Sequence, residues 1–325
     1  MNVPQLRTPV FVNLDLTTSC NQKCIFCAIS PNTNYSFKSE EHFKGLIDKL
    51  FSEGVFEITL FGGEPLLHPK VKDIAKYIND VGMEANIVTN GTLYEKIPQL
   101  ARYLENASVS IHGFRKVHES LTQIPGSFSR SLKGVEKFIE NGIRTSICYT
   151  LVKANYSEIG SFVEYMFSNY DITSVVIDRF IPRGFGEAAK DKLNVSVQEI
   201  NEALRSMHEL SRKYKKGVTT GDGLPLCKID EDLRYIVQPC QAGILFCSVT
   251  EDGDIKLCPS ASTKIGNINS SSLENIWNSK TFRDMRSFNW IPEYCKKCKI
   301  LSNCYGGCKV SSGIEPYGYD ILLRV

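Results

Sequence analysis

The chain has 325 residues, 42% hydrophobic and 23% charged, with a formal net charge of +2; this is the composition of an ordinary globular protein with enough core for one large domain, or a large and a small one. Near-balanced charge, with Lys and Arg scattered along the chain, excludes the basic footprint of a nucleic-acid or anionic-membrane binder. No apolar run reaches bilayer-spanning length and the start MNVPQLRTP lacks the apolar core of a signal peptide, so a cytoplasmic protein is expected.

Phe11 to Leu16 alternates as a strand and delivers the chain to Thr18–Cys27, TSCNQKCIFC, which holds Cys20, Cys24 and Cys27. Phe43, Leu46, Ile47, Leu50 and Phe51 then form one apolar helical stripe that Gly54 stops. A strand over Val55–Leu60 ends in Phe61-Gly62-Gly63-Glu64-Pro65, and Val71, Ile74, Ala75, Ile78 and Val81 mark the next helix. The alternation continues with a strand over Ala85–Val88 before Thr89-Asn90-Gly91, a helix over roughly 95–104, and a strand over Ala107–Ile111 before His112-Gly113. A helical stripe at Phe128, Leu132, Val135 and Ile139, a long strand from Ile143 to Leu151, a helix through Ile159, Phe162, Val163 and Met166, and a strand over Ile172–Asp178 close the series. Six strands separated by helices predict a parallel sheet with helices outside. Right-handed crossovers then gather the loops that follow the strands, the cysteine loop among them, at one mouth.

From Phe180 the pattern changes. Val197, Ile200, Leu204 and Met207 predict a bridging helix, and Gly217–Pro225 is turn-rich and marks a boundary. Seven cysteines follow, as Cys240-x6-Cys247-x10-Cys258 and Cys295-x2-Cys298-x5-Cys304-x3-Cys308, with a hairpin turn at Glu251–Asp254 between short strands and a helix around Leu273–Trp277. In a reducing compartment such clustering points to metal or catalysis rather than to disulfides. Only Cys148 and Cys227 stand apart, and both read as structural thiols.

Three thiolates leave a bound metal group with an open coordination position, where substrate can enter. The spacing Cys20-x3-Cys24-x2-Cys27, with Phe26 before the third cysteine, resembles the signature of the radical S-adenosylmethionine (radical SAM) enzymes. The order and spacing of the seven later cysteines resemble the SPASM extension of that family. The resemblance implies an α/β fold, a partial (β/α)6 TIM-like barrel over 1–180, a bridging helix and linker over 181–225, and a small cysteine-rich Fe–S (SPASM) domain over 226–325. It implies that Cys20, Cys24 and Cys27 hold a 4Fe–4S cluster whose fourth iron chelates SAM. Phe26, Gly62, Gly63, Glu64, Asn90, Ser110 and Arg179 are the expected SAM contacts, the glycines by close backbone approach and Arg179 by pairing with the SAM carboxylate. In isolation Gly-Gly-Glu is an ordinary strand-to-helix turn, Asn and Ser are common turn residues, and Arg179 serves equally in a salt bridge.

By the same resemblance Cys240, Cys247, Cys258 and Cys308 match a first auxiliary 4Fe–4S cluster, and Cys295, Cys298 and Cys304 match a second. That second set is one ligand short, since the tail after Cys308 has no cysteine. An oxygen ligand such as Asp320, an open iron, an absent cluster and a contribution from Cys227 are all compatible with the sequence. His112 stands where many relatives carry Asp; His112 and His118 read as surface or capping residues rather than catalytic ones.

The implied chemistry is reductive cleavage of SAM to a 5′-deoxyadenosyl radical that abstracts hydrogen from a substrate. A ribosomally made peptide is the first expectation, with a ferredoxin- or flavodoxin-type electron donor and a separate leader-binding protein, because the first strand begins almost at the N-terminus. A tetrapyrrole or other cofactor precursor is the second. A non-catalytic zinc or electron-transfer protein is the third, since four-cysteine zinc sites need no redox chemistry.

Overall fold

A computed structural model describes residues 4–29 and 35–323. The six predicted strands form in chain order: β1 (Phe11–Asp15), β2 (Glu57–Phe61), β3 (Glu84–Thr89), β4 (Asn106–Ser110), β5 (Arg144–Leu151) and β6 (Ser174–Arg179). Each pairs in parallel with the next. Along β1, Val12 and Leu14 are fully buried against the helices, while Asn13 turns to the interior of the curved sheet; strand alternation sorts the two faces.

The helices answer to their apolar stripes. Glu40–Ser52 buries Phe43, Leu46, Ile47 and Leu50, and the Ser39 hydroxyl caps it by accepting from the His42 N–H; Phe51, at the stripe's edge, stays exposed. The bridging helix runs longer than its stripe suggests, over Val197–Tyr214, and begins in a capping box between Ser196 and Glu199. Two helices depart from expectation. The stretch near 95–104 holds helix only over Ile97–Leu100, between single 3-10 turns, with Pro98 in its first turn, where proline is tolerated. A further helix, Arg115–Thr122, lies between β4 and the helix Ser127–Glu140.

The sheet does not stop at six strands. The first residues of the turn-rich boundary form β7 (Gly217–Thr220), parallel to β6; two threonines and a valine there outweigh the glycine. At the other edge β8 (Phe246–Val249) pairs in parallel with β1 and then antiparallel with β9 (Asp254–Lys256), as the Glu251–Asp254 turn predicts, and β10 (Gly266–Asn267) follows. The result is a ten-stranded sheet in the order β10-β9-β8-β1-β2-β3-β4-β5-β6-β7. The cysteine-rich segment thus extends the sheet at β1 and packs Trp277 into the common core, its indole N–H donating to the Leu6 carbonyl at 3.1 Å. Among the described residues no helix is long and apolar enough to cross a membrane.

Candidate active site

The loops after β1 to β4 meet at one end of the sheet around a cavity of about 460 Å³. Cys20, Cys24 and Cys27 line it, as do Cys240, Cys258 and Cys308.

Backbone contacts grip the first cysteine loop from three sides. From the Gly-Gly-Glu turn, the Gly63 N–H donates to the Thr17 carbonyl at 2.8 Å and the Glu64 N–H to the Ser19 carbonyl at 2.9 Å. The loop's own Lys23 and Ile25 N–H groups donate to the Thr122 and Leu121 carbonyls, at the end of the unpredicted helix. From the segment after β6, the Gly186 N–H reaches the Cys27 carbonyl at 3.2 Å. The turn glycines permit the first contact: a Cβ on Gly62 would lie 2.4 Å from the Thr17 oxygen, and one on Gly63 2.2 Å from the Ser19 oxygen. Both face the cavity with their backbone, but the close approach that requires glycine is to the cysteine loop itself.

Glu64 corrects the sequence-based expectation. It is buried and absent from the cavity wall. Its carboxylate accepts from the Leu66 N–H at 2.9 Å, the Thr89 hydroxyl at 2.6 Å and the Asn90 N–H at 2.7 Å. It ties three loops together rather than facing a ligand. Arg179 lines the cavity but carries a structural bond as well. Its guanidinium makes a two-pronged bond to Asp320 at 3.0 and 2.8 Å, with both side chains buried. Asp320 also accepts from the Cys308 N–H at 2.7 Å and the Leu322 N–H at 2.9 Å. Asp320 is therefore not free to act as an iron ligand, whereas Arg179 still lines the cavity, with its buried Nε lacking a hydrogen-bond partner.

Phe26, Asn90 and Ser110 line the cavity. Asn90 donates to Asn21 at 2.8 Å and hydrogen-bonds the Cys20 thiol. Phe26 meets the His112 ring edge-on at 4.6 Å. His112 also faces the cavity but is held neutral by burial, far below the ordinary histidine range; its Nδ1 accepts from the Thr150 N–H at 3.1 Å, and its own N–H donates to His118 Nδ1 at 3.2 Å. Burial lowers His118 to about 4. The two histidines are buried structural groups rather than surface ones.

The seven later cysteines divide differently from their expected pairing. The charge of Cys240 raises both Cys258 and Cys308. Cys247 does not join them: on β8 its neighbour Phe246 faces the cavity, so alternation turns Cys247 to the opposite face, where it is fully buried and its charged neighbour is Arg286. Cys295, Cys298 and Cys304 form a separate group: Cys295 feels Cys304 and Cys298, and Cys304 feels Cys298.

Sequence reasoning missed three polar groups on the wall. Gln22 accepts from the Cys24 thiol at 3.5 Å, and its buried Nε2 has no partner. Asp178 and Asp222 also line the cavity, both pushed up by burial and Asp178 also by the charge of Asp222; Arg179 partly offsets this for Asp222, so Asp178 is the better proton holder. Alternation along β6 could have turned Asp178 inward, but nothing in the sequence set Asp222 near it.

The donor set fits an iron–sulfur cluster. Burial and the neighbouring charges of Glu64 and Cys27 push the Cys20 thiol up to about 12, and burial with Cys20 and Cys27 raises Cys24 well above the ordinary thiol range. Three crowded thiolates of this kind call for a cationic centre to offset their repulsion. No three His, Cys, Asp or Glu groups among the described residues gather tightly enough for a single metal ion; a multi-iron cluster asks for wider spacing.

Residues 14–166 match the radical SAM superfamily, and residues 240–299 match SPASM, an iron–sulfur cluster-binding domain. Among curated proteins, the AdoMet-dependent heme synthase of Methanosarcina barkeri is 26% identical, over 94% of this chain and 93% of its own length. The mycofactocin maturase MftC of Mycolicibacterium smegmatis is 25% identical, over 97% of this chain and 82% of its own. Among solved structures, Streptococcus suis SuiB bound to the precursor peptide SuiA superposes with a TM-score of 0.78 at 18% identity, covering 98% of this chain and 77% of that one.

Proposed function

This chain belongs to the radical SAM superfamily and carries a SPASM extension, and from that membership we propose that it modifies a ribosomally synthesised peptide by hydrogen abstraction. When bound, the 4Fe–4S cluster and SAM supply reductive cleavage to methionine and a 5′-deoxyadenosyl radical, which takes a hydrogen atom from the substrate. The observation that carries the reading is one cavity lined both by Cys20, Cys24 and Cys27 and by Cys240, Cys258 and Cys308.

In this reading Cys20, Cys24 and Cys27 hold the first cluster. Phe26, Asn90, Ser110 and the backbone of Gly62 and Gly63 hold SAM beside it. Cys240, Cys258 and Cys308 hold an auxiliary cluster with one position left for a non-cysteine group. Apolar residues such as Ile29, Phe61, Val88 and Val176 keep water away from the reacting atoms. Asp178 and Asp222 offer a proton and a charge to polar groups of the substrate.

A peptide substrate is supported by the mycofactocin maturase, matched over nearly the whole chain, and by the shared fold with SuiB, which binds a precursor peptide. A ferredoxin- or flavodoxin-type protein would deliver the electron, and a separate protein would present the peptide's leader. Twelve free thiols suit a reducing cytoplasm. A second reading, an iron-tetrapyrrole precursor as substrate, is favoured by the heme synthase, whose match spans nearly all of both chains. The non-catalytic zinc or electron-transfer alternative gives way to superfamily membership.

Anaerobic reconstitution followed by dithionite and SAM tests the chemistry. Wild type forms 5′-deoxyadenosine and Cys24→Ala does not; persistence in the variant sinks the reading. Mass change in a peptide encoded near the gene, against mass change in an iron coproporphyrin, decides the substrate.

A further inference from the structure

We propose that Cys227 is the fourth ligand of the second auxiliary iron–sulfur cluster, completing with Cys295, Cys298 and Cys304 a set that the C-terminal tail leaves short. The inference rests on the SPASM reading above and assigns a residue that precedes the matched SPASM segment in sequence.

Cys227 lies on a single 3-10 turn, Leu226–Lys228, in the linker between β7 and the cysteine-rich segment that starts at Cys240, called the cap below. The turn is pressed against the second cysteine group: the buried Leu226 N–H donates to the Cys304 sulfur at 3.3 Å. Upstream, the linker passes so close to the first group that a Cβ on Gly223 would lie 2.8 Å from the Cys240 Cβ and 3.2 Å from the Gly307 carbonyl carbon. The linker therefore threads between the two auxiliary groups and presents Cys227 to the second. The thiols also sense one another. Cys227 feels Cys298, and Cys295 and Cys304 each feel Cys227.

The turn is built to stay where it is. Asn201, on the bridging helix, donates to the Lys228 carbonyl at 2.9 Å and accepts from the Asp230 N–H at 2.7 Å. Arg234 Nε donates to the Leu226 carbonyl at 3.0 Å. Both flanks of Cys227 are thus fixed by side chains outside the cap. An amide N–H directed at a cluster sulfur is one of the features by which proteins tune such centres.

The competing ligands are occupied elsewhere. Four donors surround Asp320, Arg179 twice and the N–H groups of Cys308 and Leu322. Cys247 faces Arg286, and Cys148 lines the cavity near Asp178. On binding iron Cys227 loses its thiol proton to solvent, which its exposed position allows, and four thiolates then close the shell as in ordinary four-cysteine clusters.

The test is iron and acid-labile sulfide content with electron paramagnetic resonance of the reduced, anaerobically reconstituted full chain, for wild type, Cys227→Ala, Cys227→Ser and Cys148→Ala. Wild type carries about twelve irons, four for each of three clusters. Cys227→Ala drops by about four, Cys227→Ser keeps its iron but shifts one cluster's signal, and Cys148→Ala matches wild type. Equal iron and unchanged spectra in both Cys227 variants overturn the proposal, as does a wild type with only about eight irons. 5′-Deoxyadenosine formation by wild type reports separately on the underlying radical SAM reading.

Discussion

Arg179, at the end of β6, grips Asp320, 141 residues later in the chain, through two hydrogen bonds at 3.0 and 2.8 Å. Both side chains are buried, and Asp320 also holds the Cys308 N–H. The pair therefore fixes one cysteine of the cap against the barrel. Asp320→Ala leaves a buried guanidinium without its partner and is expected to cost about 3–5 kcal/mol. The double change Arg179→Met with Asp320→Leu recovers part of that loss. Chemical denaturation of the three variants measures both effects, and an Asp320→Ala protein as stable as wild type would count against the pair.

Gly63→Ala inserts a methyl 2.2 Å from the Ser19 oxygen. The turn cannot stay in contact with the cysteine loop, so the three thiols lose their common geometry. Reconstituted protein is expected to lose about four irons and at least tenfold of its rate of 5′-deoxyadenosine formation. Iron analysis and a product assay on one preparation check both.

Cys247→Ala should leave iron content unchanged, because its side chain faces away from the cavity. Removing the buried sulfur costs about 1 kcal/mol in stability. Cys240→Ala should lower the iron count instead. Equal iron loss in the two variants would return Cys247 to the first auxiliary group.

Burial holds folded His118 at about 4 against an ordinary 6.5, so the unfolded chain binds more proton between those values. The corresponding stabilisation is complete above pH 6.5 and is lost as pH falls through about 4. At pH 5 the loss amounts to about 2 kcal/mol. His118→Gln is expected to flatten this acid slope, read as the change in thermal midpoint between about pH 7 and pH 5.

Much of the barrel was legible because its signals are local. Stripes such as Phe43, Leu46, Ile47 and Leu50, and alternation such as that of Phe11–Leu16, depend only on nearest neighbours in helix or strand. The three cysteines of the first loop were legible for the same reason. Long-range partners were not. The charge of Arg179 was visible, but Asp320 is brought to it only by the folded tail. Glu64 sits beside the expected contacts in sequence, yet its carboxylate turns inward toward Thr89 and Asn90. Cys247 was misassigned through spacing alone, whereas the parity of β8 decides its face. β7 was hidden because Gly217 and the glycines after it read as turn, and only the exposed edge of β6 makes Gly217–Thr220 a strand.

The parallel pairing of β8 with β1 has a mechanical consequence. Four register pairs, Phe11 with Phe246 through Leu14 with Val249, join the cap to the strand that delivers the first cysteine loop. Cap and barrel share this ladder as well as the Arg179–Asp320 pair, so the cap cannot swing away as a lid without breaking backbone pairing.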